Sequence, residues 1–374
     1  MLTLSRLYTY PVKSMRGLQL SHSLVNESGL TFDRNFMITT TDGTFMTGRQ
    51  YPQMLLFTPT MLHNGLYLRA PNGESATVLY TDFKEGRSPT EVWGNHFTAL
   101  VAPESINTWL SSFFDTPVQL RWISEELTRR VKKFPDVSLS FADGFPYLII
   151  NEASFNALQQ RCPASIKIEQ FRANMIITGA EPFEEDNWQV IQIGDLIFDL
   201  PKPCSRCILT TVSPERGRKN PQGEPLATLS SFRTAEEDGA VDFGQNAIAR
   251  NSGIIRVGDH VRVLEKRTPR KYGSGQQTKD LTLQKTVEQS VSIEFNGQHF
   301  IGNNQHIILE QLENQGIRIP YSCRAGICGS CKISLIEGEV LPLKSTAIKE
   351  NGKILACSCI PKNDLVLKLS INSL

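Results

Sequence analysis

The sequence predicts a mainly β protein with minor α, in which a front part of about 265 residues is joined to a short α+β tail. Three observations predict this. Short alternating runs such as Leu18-Gln-Leu20, Phe36-Met-Ile38, Leu66-Tyr-Leu68 and Val190-Ile-Gln-Ile193 are punctuated by Asp42-Gly43, Asn64-Gly65, Asn72-Gly73 and Gly194-Asp195. That is the period-two pattern and turn chemistry of strands. Helical spacing is confined to few stretches, of which 103–114, carrying Ile106, Trp109, Leu110 and Phe113, and 152–160 are the best. Finally, 374 residues exceed one ordinary core. The polar, basic, Pro- and Gly-containing stretch 266–279 reads as the start of a flexible linker.

Composition narrows the class. Forty per cent hydrophobic and 21% charged residues are ordinary for a soluble protein. A net charge of +1 gives no global case for nucleic acid or an anionic membrane. The basic run 129–133 reads as a solvated loop that could rim an anion rather than as a nucleic-acid grip. The first residues lack an apolar h-region. The longest apolar runs, such as 147–150, fall far short of the ~20 residues of a spanning helix. The expectation is a cytoplasmic protein with no membrane contact. Of eight cysteines, Cys162 stands alone, Cys204 and Cys207 form a pair, and Cys323, Cys328, Cys331, Cys357 and Cys359 crowd the C-terminus. Such clustering points to metal or redox use rather than a disulfide scaffold.

The tail is the clearest motif. Pro320-Tyr-Ser-Cys323-Arg-Ala-Gly-Ile-Cys328-Gly-Ser-Cys331 spaces its thiols C-x4-C-x2-C, and Ile354-Leu-Ala-Cys357 follows. Four thiolates can hold two ferric ions and two sulfides, with three of them wrapped from one loop. Gly326 and Gly329 let backbone N–H groups approach the sulfides. The flanks predict a hairpin from 291–295 and 299–301 and a helix bearing Ile308, Leu309 and Leu312. That helix would be capped by Asn303 or Asn304 and stopped at Gly316, and a returning strand is expected at 332–336. Residues 287–374 resemble the plant-type [2Fe–2S] ferredoxins, which implies a β-grasp fold. The resemblance also makes Cys357, after a Leu-x in an expected closing strand, the fourth ligand and Cys359 a non-ligand.

A one-electron carrier implies a redox partner. No G-x-G-x-x-G follows a strand, and Gly273-Ser-Gly275 falls in the linker, so a flavin or nicotinamide site within the chain is not expected. In the front part, Cys204-Ser-Arg-Cys207 precedes a β-prone run, 208–212, which disfavours a thioredoxin motif. No second ligand pair is spaced for zinc. A thiol flanked by Arg206 suits a metal-bound thiolate beside an anionic ligand.

Here the residues carry a second resemblance. Cys204-Ser-Arg-Cys207-Ile-Leu-Thr-Thr-Val212 is similar to the core motif of the MOSC domain, and Tyr10-Pro-Val-Lys13-Ser14, Asp33-Arg34, Phe171-Arg172-Ala-Asn174 and Gly258-Asp259 fall in that family's order. The likeness is to the mitochondrial amidoxime-reducing components and to bacterial fusions of MOSC with ferredoxin. It implies a MOSC N-terminal β-barrel domain over 1–115, a MOSC domain over 116–265, a linker over 266–286 and the [2Fe–2S] domain over 287–374. It further implies a molybdenum–molybdopterin cofactor whose metal is bound by Cys207. Lys13, Ser14, Arg34, Arg172, Asn174, Ser205 and Arg206 match the positions that contact the cofactor, whose phosphate wants Lys and Arg donors. Gly144 and Phe145 stand where the family has hydroxyl-bearing contacts, leaving only backbone contacts there.

The expected function is therefore a molybdenum-dependent reductase of small N-hydroxylated substrates. Electrons would come from an external NADPH-dependent flavoprotein through the [2Fe–2S] domain. The residues are also compatible with two alternatives. One is a sulfur carrier that uses a Cys207 persulfide; the other is a docking module with no chemistry of its own.

Overall fold

The computed structural model describes residues 1–83, 86–124, 127–273, 289–321, 329, 331–343, 347–349 and 352–369. The chain forms two compact units, one of Met1–Leu229 with Asp242–Arg270 and the other of Ser230–Val241 with Lys271–Leu374. Among the described residues no helix is long and apolar enough to cross a membrane.

The first unit is organised by an eight-stranded sheet. Its order is Leu18–Leu20, Thr3–Thr9, Met175–Thr178, Tyr147–Asn151, Asp242–Ala249, Leu196–Ser205, Trp188–Ile193 and Val261–Lys266. One pair, Tyr147–Asn151 with Met175–Thr178, is parallel. The helix Glu152–Arg161 lies between these two strands in sequence, where helical spacing predicts it, and Asn151 caps it by accepting a hydrogen bond from the Ala153 N–H. Leu4, Leu7, Ile149, Met175, Ile191 and Phe198 share one core, Leu4 and Leu7 being brought to the same side by a register shift between Leu4 and Arg6.

A second core lies under the sheet Phe36–Thr40, Val118–Trp122, Asn95–Val101 and Ser88–Val92. The helix Glu104–Ser111 packs there through Ile106 and Leu110. Two strand pairings cross the expected domain break at 115. Strand Val118–Trp122 belongs to the front sheet through its pairing with Phe36–Thr40. The N-terminal strand Thr3–Thr9 pairs with Met175–Thr178, so the first residues build the later sheet. Pairing across such sequence distances leaves no local signal.

Other expectations are corrected as well. Residues 266–273 are not free linker. Lys266 ends a strand, the Arg267 N–H donates to Asn187 O at 2.8 Å, Arg270 Nη1 meets Asp242 Oδ2 at 2.8 Å, and Tyr272–Gly273 is a strand. In the basic run, Arg130, Lys132 and Lys133 are exposed as expected, but Arg129 is 4% exposed and donates to the Ser140, Ala142 and Asp143 carbonyls. Residues Ile208–Thr211 form a 3-10 turn rather than a strand. Linker residues 274–286 lie outside the described residues.

The second unit carries a six-stranded sheet in the order Gln298–Asn303, Ser290–Phe295, Leu365–Leu369, Lys332–Glu337, Lys353–Leu355 and Ile348–Lys349. The helix Ile308–Asn314 covers it, with Ile308, Leu309 and Leu312 buried, and Gly316 takes the left-handed φ of 73° that ends it. Its N-cap is Ile307, not Asn303 or Asn304; Asn303 Oδ1 accepts instead from the N–H groups of Gln305 and His306.

Candidate functional site

The site is assembled where the strand Thr3–Thr9 leaves the sheet. Backbone bonds from the Lys13 N–H to Phe36 O, the Arg34 N–H to Tyr10 O and the Phe36 N–H to Pro11 O, at 2.8, 2.8 and 3.0 Å, clamp residues 10–13 against 34–36. Lys13 and Arg34 are thereby fixed on neighbouring strands of chain. Lys13 is 6% exposed; its Nζ donates to Phe141 O at 2.8 Å and pairs with Asp143. Burial brings its pKa down to about 8, against the pull of Asp143.

Arg34 and Arg172 both lie against the Tyr10 ring, at 4.5 and 4.3 Å. Arg34 pairs with Asp33 and donates to Asn174 Oδ1 at 3.3 Å and Arg172 O at 3.0 Å. Arg172 follows the 3-10 helix Ile168–Phe171 in a left-handed conformation. Its Nη1 donates to Met15 O at 2.6 Å, while its Nη2 is buried with no partner. Burial lowers the Arg172 pKa to about 10. Asn174 is committed to structure: Oδ1 also accepts from the Leu148 N–H at 3.2 Å, and Nδ2 donates to Tyr8 O at 3.2 Å.

Cys207 comes two residues after the strand Leu196–Ser205 and caps the 3-10 turn Ile208–Thr211. Its carbonyl accepts from the Thr210 N–H and hydroxyl at 3.1 and 2.9 Å. The thiol is half-buried and accepts a hydrogen bond from Arg49 Nε at 3.2 Å. Arg206 is buried, donating to Phe171 O and to Cys204 Sγ at 2.9 Å, and its Nε is buried without a partner. Burial pushes the Cys204 thiol up, against the charge of Arg206. Ser205 is exposed and donates to Asp242 Oδ1 at 2.9 Å.

Contacts therefore link Lys13, Arg34, Arg172 and Asn174 along residues 8–15, and Arg206 reaches Phe171 beside Arg172. Ser14 is buried next to Lys13, whereas Ser205 is engaged by Asp242. Sequence reading missed Arg49, Trp93 and Asp143. Asp143 binds Lys13 and Arg49 and accepts from Trp93 Nε1 at 3.0 Å. Desolvation opposes its ionisation, but Lys13 and Arg49 outweigh it and hold the carboxyl well below the usual range. The one available hint was that Asp143 precedes the Gly144-Phe145 pair already singled out.

At the iron–sulfur motif, Cys323 and Cys328 lie outside the described residues. Cys331 and Cys357 are both buried, and the Ala356 N–H donates to Cys331 O at 3.0 Å, which brings the two segments side by side. Cys357 sits in a 3-10 turn, Ala356–Ser358, rather than in the expected strand. Cys359 begins the strand after it and turns its thiol toward Ala347 O at 3.9 Å.

Fold and site define a β protein with a cation-lined thiol centre, joined to a cysteine-rich α+β domain. Residues 1–117 match the family described as MOSC N-terminal beta barrel domain, 136–262 the MOSC domain, and 293–362 the 2Fe-2S iron-sulfur cluster binding domain. Among curated proteins, mitochondrial amidoxime-reducing component 1 of Xenopus laevis is 31% identical over 286 residues, covering 70% of this chain and 82% of the relative. The human component 1 is 30% identical over 280 residues, at 70% and 83% coverage. Component 2 of Bos taurus is 31% identical over 278 residues, at 69% and 82%. The chain belongs to the family of the amidoxime-reducing components, with a 2Fe-2S domain alongside its two MOSC-type domains. Among solved structures, Pectocin M2 is 30% identical over 22% of this chain and 33% of its own, with a TM-score of 0.20, a likeness too partial to bear on function.

Proposed function

We propose that the protein is a molybdenum-cofactor-dependent reductase of N-hydroxylated compounds, such as N-hydroxylated base analogues and hydroxylamines. It would receive electrons through its own [2Fe–2S] domain from an external NADPH-dependent flavoprotein. The observation that carries this reading is the half-buried Cys207 thiol held by Arg49 Nε at 3.2 Å, together with buried guanidinium nitrogens without a partner, Arg172 Nη2 and Arg206 Nε, on two residues that the resemblance assigns to the cofactor. An orphaned buried donor is costly unless a ligand satisfies it. A phosphorylated pterin dithiolene with its metal fits that set, because it brings phosphate oxygens for guanidinium donors and a metal for a soft thiolate.

In this reading Cys207 ligates the metal, and Lys13, Ser14, Arg34, Arg172, Asn174, Ser205 and Arg206 hold the cofactor. Their parts differ. Arg172, Arg206 and Lys13 supply charge, while Asn174 keeps the Arg34 guanidinium aimed and ties it to the sheet. When bound, the cofactor supplies a two-electron centre able to take up oxygen from an N–O bond. The balance is R–NHOH plus two electrons and two protons giving R–NH2 and water. An iron–sulfur domain passes one electron at a time, so each turnover takes two deliveries. A reducing compartment such as the cytoplasm suits the free thiols of Cys162, Cys204 and Cys207.

The test is hydroxylamine reduction by purified protein supplied with a flavoprotein reductase. Cys207→Ala abolishes the activity in this account, and wild type alone does not oxidise NADPH. Full activity in the variant would overturn the assignment of Cys207. Stoichiometric persulfide on Cys207 without molybdenum would favour the sulfur-carrier alternative.

A further inference from the structure

We infer that Arg49 is a positioning residue for the Cys207 sulfur, holding it by a charge-assisted hydrogen bond and tuning the metal through it. The inference rests on Cys207 being the molybdenum ligand.

The geometry is specific. Arg49 is 6% exposed, and its Nε lies 3.2 Å from Cys207 Sγ, across 158 residues of sequence. Nη2 reaches Asp143 Oδ2 at 3.3 Å, and the guanidinium carbon sits 4.4 Å from the centre of the Trp93 ring. Trp93 in turn donates Nε1 to Asp143 Oδ1 at 3.0 Å. The guanidinium is therefore held by a carboxylate and a ring, so its Nε–H is aimed rather than free to swing.

The backbone is built for the same approach. The Gln50 and Tyr51 N–H groups both donate to Thr47 O, at 3.0 and 2.9 Å, closing a turn around Arg49. A Cβ on Gly48 would meet Leu55 Cδ1 at 2.5 Å and Leu209 Cδ1 at 3.0 Å. Leu209 belongs to the 3-10 turn that Cys207 caps, so Gly48 lets the two turns close on each other.

Chemistry gives the contact its purpose. A neutral thiol is a weak acceptor, while a thiolate accepts strongly from a guanidinium that never loses its proton. A donor on a ligating sulfur draws charge away from the metal, which makes the metal easier to reduce. Arg49 would thus favour electron arrival at the centre without touching substrate.

The experiment uses holoenzyme carrying Arg49→Gln, Arg49→Lys or Cys207→Ser. Molybdenum content, the electron paramagnetic resonance signal of the half-reduced metal, its midpoint potential, kcat and KM are measured. The expected Arg49→Gln protein keeps its molybdenum, shows a shifted signal and a lower potential, and loses about 10- to 100-fold in kcat at unchanged KM. Arg49→Lys, which keeps the charge but not the planar fork, recovers part of the potential. If Arg49→Gln cannot retain metal, Arg49→Lys carries the same comparison. Wild-type signal and potential in both Arg49 variants, or a raised KM at unchanged kcat, would overturn the inference. Cys207→Ser separates the two readings. Retained molybdenum with an unaltered signal there removes Cys207 as ligand, whereas loss there beside wild-type Arg49 variants defeats only the role given to Arg49.

Discussion

Ser14, Arg34, Trp93 and Arg172 make up half of the eight described non-glycine residues with positive φ, at 67, 53, 55 and 55°. Each such residue costs ~1 kcal/mol or more, and this strain persists only where surrounding contacts fix it. Here the contacts are visible: Arg172 is tied to Met15 O and stacked on Tyr10, and Arg34 is tied to Asp33 and Asn174. In the proposed reading, the strain at Arg34 and Arg172 holds two cationic groups for the cofactor phosphate. Arg172→Gln keeps the backbone while removing the charge and the orphaned Nη2. We expect its molybdenum content to fall about tenfold with iron unchanged, as metal analysis of purified protein would read. Unchanged molybdenum would mean that Arg172 serves the fold alone. At this scale the resemblance singled out Lys13, Arg34, Arg172 and Cys207 as candidates. Arg49 and Asp143 had no local signal, because what marks them is a contact with residues 158 and 130 positions away.

At the scale of elements, local pattern placed the front-part strands it named, around Leu18, Phe36, Leu66 and Val190, and the helices Glu104–Ser111 and Glu152–Arg161, and failed where side chains compete with the backbone. Ile208–Thr211 looks β-prone, yet Thr210 and Thr211 turn their hydroxyls onto the carbonyls of Cys207 and Ile208, at 2.9 and 2.7 Å, which stabilises a 3-10 turn. The turn Glu184–Asn187 hides another such device. Glu185 is 1% exposed, accepts from Ser154 Oγ at 2.7 Å, and has its pKa raised to about 7, first by burial and then by the charge of Asp186. The folded protein therefore holds this proton more tightly than the unfolded chain, and stability falls as pH rises between about 4.5 and about 7. Glu185→Gln removes that dependence. It should match wild type at pH 4 and exceed it at pH 8 by roughly 1–3 kcal/mol in chemical denaturation followed by tryptophan fluorescence. Equal stability at both pH values would refute the buried proton.

For the whole molecule, composition and turn chemistry gave the mainly β class, and cysteine spacing gave the iron–sulfur domain. Topology was hidden, because Thr3–Thr9 joins a sheet whose other strands, apart from Leu18–Leu20, begin at Tyr147. The linker expectation failed at its start for a related reason. Arg267 and Arg270 are satisfied by Gln245 and Asp242, residues that no local window contains.

In the proposed function one chain carries a molybdenum centre on Cys207 and a separate [2Fe–2S] cluster on the C-terminal thiols. Elemental analysis of wild type, Cys207→Ala and Cys357→Ser tests it directly. Wild type should hold about one molybdenum and two irons per chain. Molybdenum alone should be lost from Cys207→Ala, and iron alone from Cys357→Ser. Two irons without molybdenum, from cells supplied with molybdate and able to make the cofactor, would contradict it.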